Sequence, residues 1–75
     1  MTEKITRILV VDGSTLSRQI LSRILRDEIT NIEVDSCKSG ADAIAKMQTK
    51  TYDLITTALL LPDMDGLELC RKIRA

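Results

Sequence analysis

Residues 7–11 read Arg-Ile-Leu-Val-Val, and the four apolar side chains in succession leave no face of a strand for water. An alternating strand can lie with one side wet. A continuous, β-branched run needs cover on both sides, which is the arrangement of a parallel sheet with helices above and below it. The run stops at Asp12-Gly13-Ser14. Glycine permits a sharp turn there, and a serine hydroxyl can accept from the orphan N–H groups of a starting helix. Leu16, Ile20, Leu21, Ile24 and Leu25 then recur at helical spacing, with Ser17, Arg18, Gln19, Ser22, Arg23 and Arg26 on the other face. This predicts a one-sided amphipathic helix of roughly fourteen residues.

Residues 32–37, Ile-Glu-Val-Asp-Ser-Cys, alternate apolar with polar, as a strand does at a sheet edge with one side exposed. Ser39-Gly40 opens a second helix, with Ala41, Ile44, Ala45 and Met47 on its packing face. Residues 52–57, Tyr-Asp-Leu-Ile-Thr-Thr, form a third strand centred on Leu54 and Ile55. Pro62 cannot continue a strand ladder, and residues 63–66 carry turn chemistry. Leu67, Leu69, Cys70 and Ile73 then begin a third helix. Strand and helix alternating in this order predict right-handed crossovers and a parallel sheet flanked by helices. Residues 1–6 are expected as a loose tail, and residues 7–75 as one partial domain of three strands and three helices.

Eleven basic and eleven acidic side chains balance, and no run of Lys or Arg gathers into a stripe, which speaks against nucleic acid and anionic membranes as partners. One tyrosine is the whole aromatic content, so base stacking has almost no platform. The longest apolar stretch, residues 58–62, is far too short to cross a bilayer, and Met-Thr-Glu-Lys lacks a basic segment leading into a hydrophobic one; a cytoplasmic chain is expected. Cys37 and Cys70 lie far apart without C-x-x-C spacing, and no histidine accompanies them, which removes the usual zinc arrangements. Two reduced, partly buried thiols are the expectation.

In an open parallel sheet ligands bind at the carboxyl ends of the strands. Those ends are Asp12-Gly13-Ser14, Cys37-Lys38-Ser39 and Thr57-Ala58-Leu59. Around them stand Ile8-Leu9-Val10-Val11-Asp12 with Ser14 and Arg18, Gly40-x-x-Ala43-Ile44, Tyr52-Asp53-Leu54-Ile55, and Pro62-Asp63-Met64-Asp65-Gly66-Leu67-Glu68-Leu69. In this order and at these spacings the set resembles the receiver domain of bacterial response regulators. The resemblance covers almost the whole chain, and three of that domain's five strands. It implies a flavodoxin-like (CheY-like), doubly wound α/β fold with a parallel sheet, present here as its N-terminal βαβαβα portion. It also implies a family activity: an aspartate at the end of the third strand takes a phosphoryl group from a histidine kinase, and magnesium held by first-strand acids neutralises the developing charge.

The chain departs from that pattern where the chemistry sits. The family's aspartate lies four residues before the loop proline, a position occupied by Ala58, whose methyl group can neither attack phosphorus nor ligate a metal. The family's adjacent first-strand acids match Asp12 and Gly13, so Asp12 alone keeps a carboxylate. With one backbone carbonyl expected from Leu60, this is a poor shell for magnesium, and binding is expected to be weak or absent. The hydroxyl residue and lysine with which the family senses the phosphoryl group belong to later strands. Asp12 has a plainer reading as a turn aspartate. Asp63 and Asp65 read as turn formers with solvated carboxylates, and Thr57 as a structural residue lacking an activating base.

The resulting expectation is a degenerate receiver module in two-component signalling that is not an enzyme and acts through protein partners, a histidine kinase or an output domain. One alternative is an N-terminal fragment or inactivated variant of a conventional phosphoacceptor receiver, whose parent chain would carry aspartate at position 58. Another is phosphate or nucleotide chemistry at the strand ends, against which stands the lack of a G-x-G-x-x-G or a G-x-x-x-x-G-K-[ST] motif. In the family the third strand is central. An uncovered edge around Leu54, Ile55, Leu59, Leu60 and Leu61 therefore predicts self-association, by edge pairing or exchange of the third helix.

Overall fold

The computed structural model describes residues 4–74. Its middle strand, β1 (Thr6–Val11), runs parallel to β2 (Ile32–Cys37) on one side and to β3 (Leu54–Thr57) on the other, giving the order β2-β1-β3. Thr6 stands opposite Ile32 and Val11 opposite Cys37; on the far side Ile8 stands opposite Leu54 and Val11 opposite Thr57. Alternation of side chains sends Leu9 and Val11 to one face, where they meet Cys37, Ala43 and Leu69, and sends Ile8 and Val10 to the other, where they meet Val34. All four are 1% exposed or less, the cover on both faces that a continuous apolar run requires.

Helices α1 (Thr15–Glu28), α2 (Gly40–Thr49) and α3 (Gly66–Arg74) complete the fold. Helix α1 lies over β1 and β2 and fills the Ile8 face with Leu21 and Leu25. Helices α2 and α3 close the Leu9 face through Ala43, Ile44, Met47, Leu69 and Ile73. Local chemistry sets where the first two helices start. The Ser14 hydroxyl accepts from the Ser17 N–H at 3.3 Å and the Ser39 hydroxyl from the Asp42 N–H at 3.1 Å, each satisfying one orphan donor of its helix.

Four expectations are corrected by the structure. The sheet takes Thr6 from the expected tail, because the Thr6 N–H donates to the Asn31 carbonyl at 2.9 Å; residues 1–3 of that tail lie outside the described residues. Asn31 itself, at φ 54°, makes the left-handed turn into β2 that its short polar side chain tolerates. The third strand is shorter than residues 52–57, since Tyr52 and Asp53 precede it and fasten neighbouring strands: the Tyr52 hydroxyl donates to Asp35 Oδ2 at 2.6 Å, and the Arg7 N–H to Asp53 Oδ2 at 2.8 Å. On α2 the inward stripe is the buried Gly40 and Ala43 with the half-buried Ile44 and Met47, whereas Ala41 and Ala45 are exposed; the stripe is set by where the helix starts. On α1 the apolar face is only half used. Leu16, Ile20 and Ile24 are exposed, because the helix sits over β1 and β2 and does not extend across β3.

Candidate functional site

The chain leaves β1 for β2 on one side and returns across β1 to β3 on the other. This reversal of strand order opens a crevice between the carboxyl ends of β1 and β3, the place where open α/β sheets bind ligands. Ala58 follows β3 directly and extends its ladder, with its N–H donating to the Val11 carbonyl at 2.8 Å. The Thr57 hydroxyl donates to the Ala58 carbonyl at 2.9 Å, so its proton is already engaged. Across the crevice Asp12 Oδ1 accepts from the Ser14 N–H at 2.9 Å, a turn-type bond. The Asp12 carbonyl accepts from Arg18 Nη1 at 2.6 Å, and Arg18 Nη2 reaches Thr15 Oγ1 at 3.0 Å.

Asp12 and Ala58 line one small cavity of about 110 Å³ together with Val10, Val11, Leu21, Thr56 and Thr57. Asp12 supplies the cavity's single carboxylate. Among the described residues no three carboxylate, thiol or imidazole groups gather to hold a metal. Leu60 is not part of this lining: it is 78% exposed and forms an antiparallel bridge with Asp65.

The Pro62–Gly66 loop is tied down at every residue. Pro62 packs beside Gly13, where a Cβ would stand 3.3 Å from its Cδ, and Met64 fills the space over Gly40 that a side chain there would need. The Leu61 N–H donates to the Met64 carbonyl at 3.0 Å and the Gly66 N–H to the Leu59 carbonyl at 2.6 Å. Asp63 and Asp65 are exposed loop carboxylates, and each also accepts backbone N–H bonds at a helix start, which the sequence did not announce. Asp63 accepts from the Gly40 N–H and the Ala41 N–H, each at 2.9 Å, and these two bonds hold its carboxyl below the usual range. Asp65 Oδ1 accepts from the Glu68 N–H at 2.7 Å and so caps α3. The one signal for the Asp63 contact was arithmetic: Ser39 satisfies one orphan donor of α2, and the others needed a partner from elsewhere.

Of the apolar edge set, Leu54, Leu59 and Leu60 are exposed, whereas Ile55 and Leu61 pack against the α2 and α3 core. Alternation along β3 explains Ile55: it lies opposite Leu9 and shares that residue's covered face. Cys37 is buried and Cys70 exposed, both free; burial pushes the Cys37 thiol up.

Parallel strands in the order β2-β1-β3, helices on both faces and a crevice at the reversal define the N-terminal half of a flavodoxin-like, CheY-like module. The profile of the response regulator receiver domain matches residues 8–75. The transcriptional regulatory protein ResD of Bacillus subtilis (strain 168) is 44% identical over 69 residues, covering 92% of this chain and 28% of that protein. The chemotaxis response regulator CheY4 of Vibrio cholerae superposes with a TM-score of 0.87 at 32% identity, covering 95% of this chain and 57% of that one. A structure of histidine kinase ThkA in complex with response regulator protein TrrA matches with a TM-score of 0.85 at 34% identity, covering 93% of this chain and 59% of the other. The chain belongs to the response regulator receiver domain family. It spans less than a third of the curated relatives it matches.

Proposed function

We propose that this chain is a degenerate receiver of two-component signalling, working by protein contact without accepting a phosphoryl group at position 58. The observation that carries this reading is the shared cavity of Asp12 and Ala58, in which a methyl group stands at the end of β3. Phosphoryl transfer needs an oxygen nucleophile in line with the leaving group and a metal to neutralise charge. Asp12 is one carboxylate, already engaged by the Ser14 N–H, and neither Gly13 nor Ala58 adds a side-chain oxygen. This donor set, even with the Leu60 carbonyl, does not fit magnesium. The same reading takes residues 6–75 as one partial receiver unit acting in the cytoplasm, with a histidine kinase or an output domain as partner and with a second copy of the chain as a further one. The kinase complex of TrrA supports the first kind of partner.

Incubation with a small acyl phosphate and magnesium, followed by intact-mass measurement, tests the proposal. The chain is expected to stay unmodified, and a stoichiometric phosphoryl adduct would sink the idea. The double variant Gly13→Asp/Ala58→Asp should gain an acid-stable but base-labile adduct. A second reading, a partial or inactivated version of a conventional phosphoacceptor, is favoured by the share of its relatives that the chain spans. Aspartate at position 58 in the parent coding sequence would establish it.

A further inference from the structure

The outer side of the β2 carboxyl end opens into a groove of about 430 Å³, separate from the Asp12 and Ala58 cavity, whose walls include Arg18 from α1, Ser36, Cys37 and Lys38 from the end of β2, and Asp42 and Lys46 from α2. A neighbouring hollow of about 220 Å³ shares Arg18 and Ser36 with it and adds Arg26. The two together hold four cations, Arg18, Arg26, Lys38 and Lys46, against one acid, Asp42, in a chain whose charges balance overall.

These cations are not spent on ion pairs. Lys4, Arg7 and Lys50 pair with Asp53, Glu33 and Asp35, whereas Lys38 and Lys46 have no such partner among the described residues. The two arginines are anchored on carbonyls: Arg18 on Asp12 and Arg26, at 3.2 Å, on Val34. Each anchor uses part of a guanidinium with five donors, fixes the group in place and leaves N–H donors over. Anchored guanidinium forks and unpaired ammonium groups, with Ser36 lining both hollows, suit the several oxygens of a phosphate group. The chain's one aromatic ring, Tyr52, does not line either hollow, so no aromatic side chain there offers a platform for a base.

We propose that this groove binds a small phosphate-bearing polyanion. The site rests on different residues from the strand-end crevice and stands or falls apart from the reading of Ala58. Titration of the full chain with inorganic pyrophosphate at constant ionic strength, followed by backbone amide NMR, tests it. Saturating shifts are expected at residues 36–38 and 42–46. The pair Lys38→Gln/Lys46→Gln should weaken binding by about tenfold, through loss of two charge-assisted contacts. The pair Arg71→Gln/Lys72→Gln on α3 removes the same charge elsewhere and should leave affinity unchanged. Shifts that rise linearly without saturation, or equal weakening by both pairs, would mean diffuse screening and overturn the site. Succinate binding as tightly as pyrophosphate would overturn the phosphate preference.

Discussion

The carboxylate of Asp63 sits on the N-terminus of α2, accepting from the Gly40 N–H at 2.9 Å across 23 positions of sequence. Its other oxygen takes the Ala41 N–H at the same distance. Both donors are orphans of the first helical turn, where a negative charge also meets the positive end of the helix dipole. The contact joins the loop after β3 to the helix after β2 and so fixes the chain that borders the crevice.

Because these bonds favour the charged carboxylate, the Asp63 carboxyl titrates below its ordinary value of 3.8 in the folded chain. A depressed folded value means the contribution is present above the unfolded value and lost as pH falls through the folded one. Asp63→Asn should therefore lower stability at neutral pH and make the acid limb shallower. Residual acid sensitivity should remain from Asp35 and Asp53, which are also held below their ordinary values. Urea melts over a series of pH values from neutral downwards check this, since the gap between the variant and the parent chain should narrow as pH falls below 3.8.

Tyr52 acts in the opposite direction. Burial and the adjacent Asp35 carboxylate push its hydroxyl up to about 12 from the ordinary 10.0, because both disfavour the phenolate. A raised folded value gives stability that is full below the unfolded value and lost as pH climbs through the folded one, so this contribution should decline between about 10 and 12. Tyr52→Phe should cost about 1 kcal/mol at neutral pH through the lost bond and should flatten the alkaline limb. Tyrosinate absorbance reads the titration directly, since the chain has one tyrosine. A midpoint near the ordinary value would show the Asp35 contact absent in solution.

Much of this was legible in the sequence because local rules act over three or four residues. The Ser14 and Ser39 caps, the length of α1 and the bounds of β2 follow from capping and periodicity alone. Counting back from Pro62 located Ala58, and the strand-end rule located Asp12. The Asp63 contact was not legible, since nothing within reach of residue 63 in sequence announces a helix terminus 22 or 23 positions earlier. Nor was the fate of Leu16, Ile20 and Ile24. Periodicity marks an apolar face but does not say how far the sheet beneath it extends.

Two glycines beside the crevice should respond differently to a methyl group. At Gly66 a Cβ would stand 2.7 Å from the Ala58 backbone carbonyl, which cannot swing aside without moving the β3 terminus. At Gly40 it would meet Met64, whose flexible side chain can move away. Gly66→Ala should cost about 2 kcal/mol as an overpacked site. Gly40→Ala should cost less, and chemical denaturation midpoints will rank the two. The reverse order would mean that the Met64 side chain is the more rigid of the two neighbours.

Self-association is the prediction drawn from the outer edge of β3, which has no partner strand among the described residues. Leu54, Leu59 and Leu60 are exposed along and beyond that edge, and Leu16, Ile20 and Ile24 are exposed on α1. Unpaired backbone beside apolar side chains recruits another strand, and natural edges are commonly blocked by charge. Light scattering over about a hundredfold range of concentration should give a molar mass that rises with concentration. Leu54→Lys should return the chain to monomer, and because Leu54 is already 52% exposed, the variant should keep the parent's helical circular dichroism. A monomer throughout the range for the parent chain would mean that the exposed row does not pair with itself. A parent assembly that survives Leu54→Lys would move the contact from the β3 edge to the apolar row of α1.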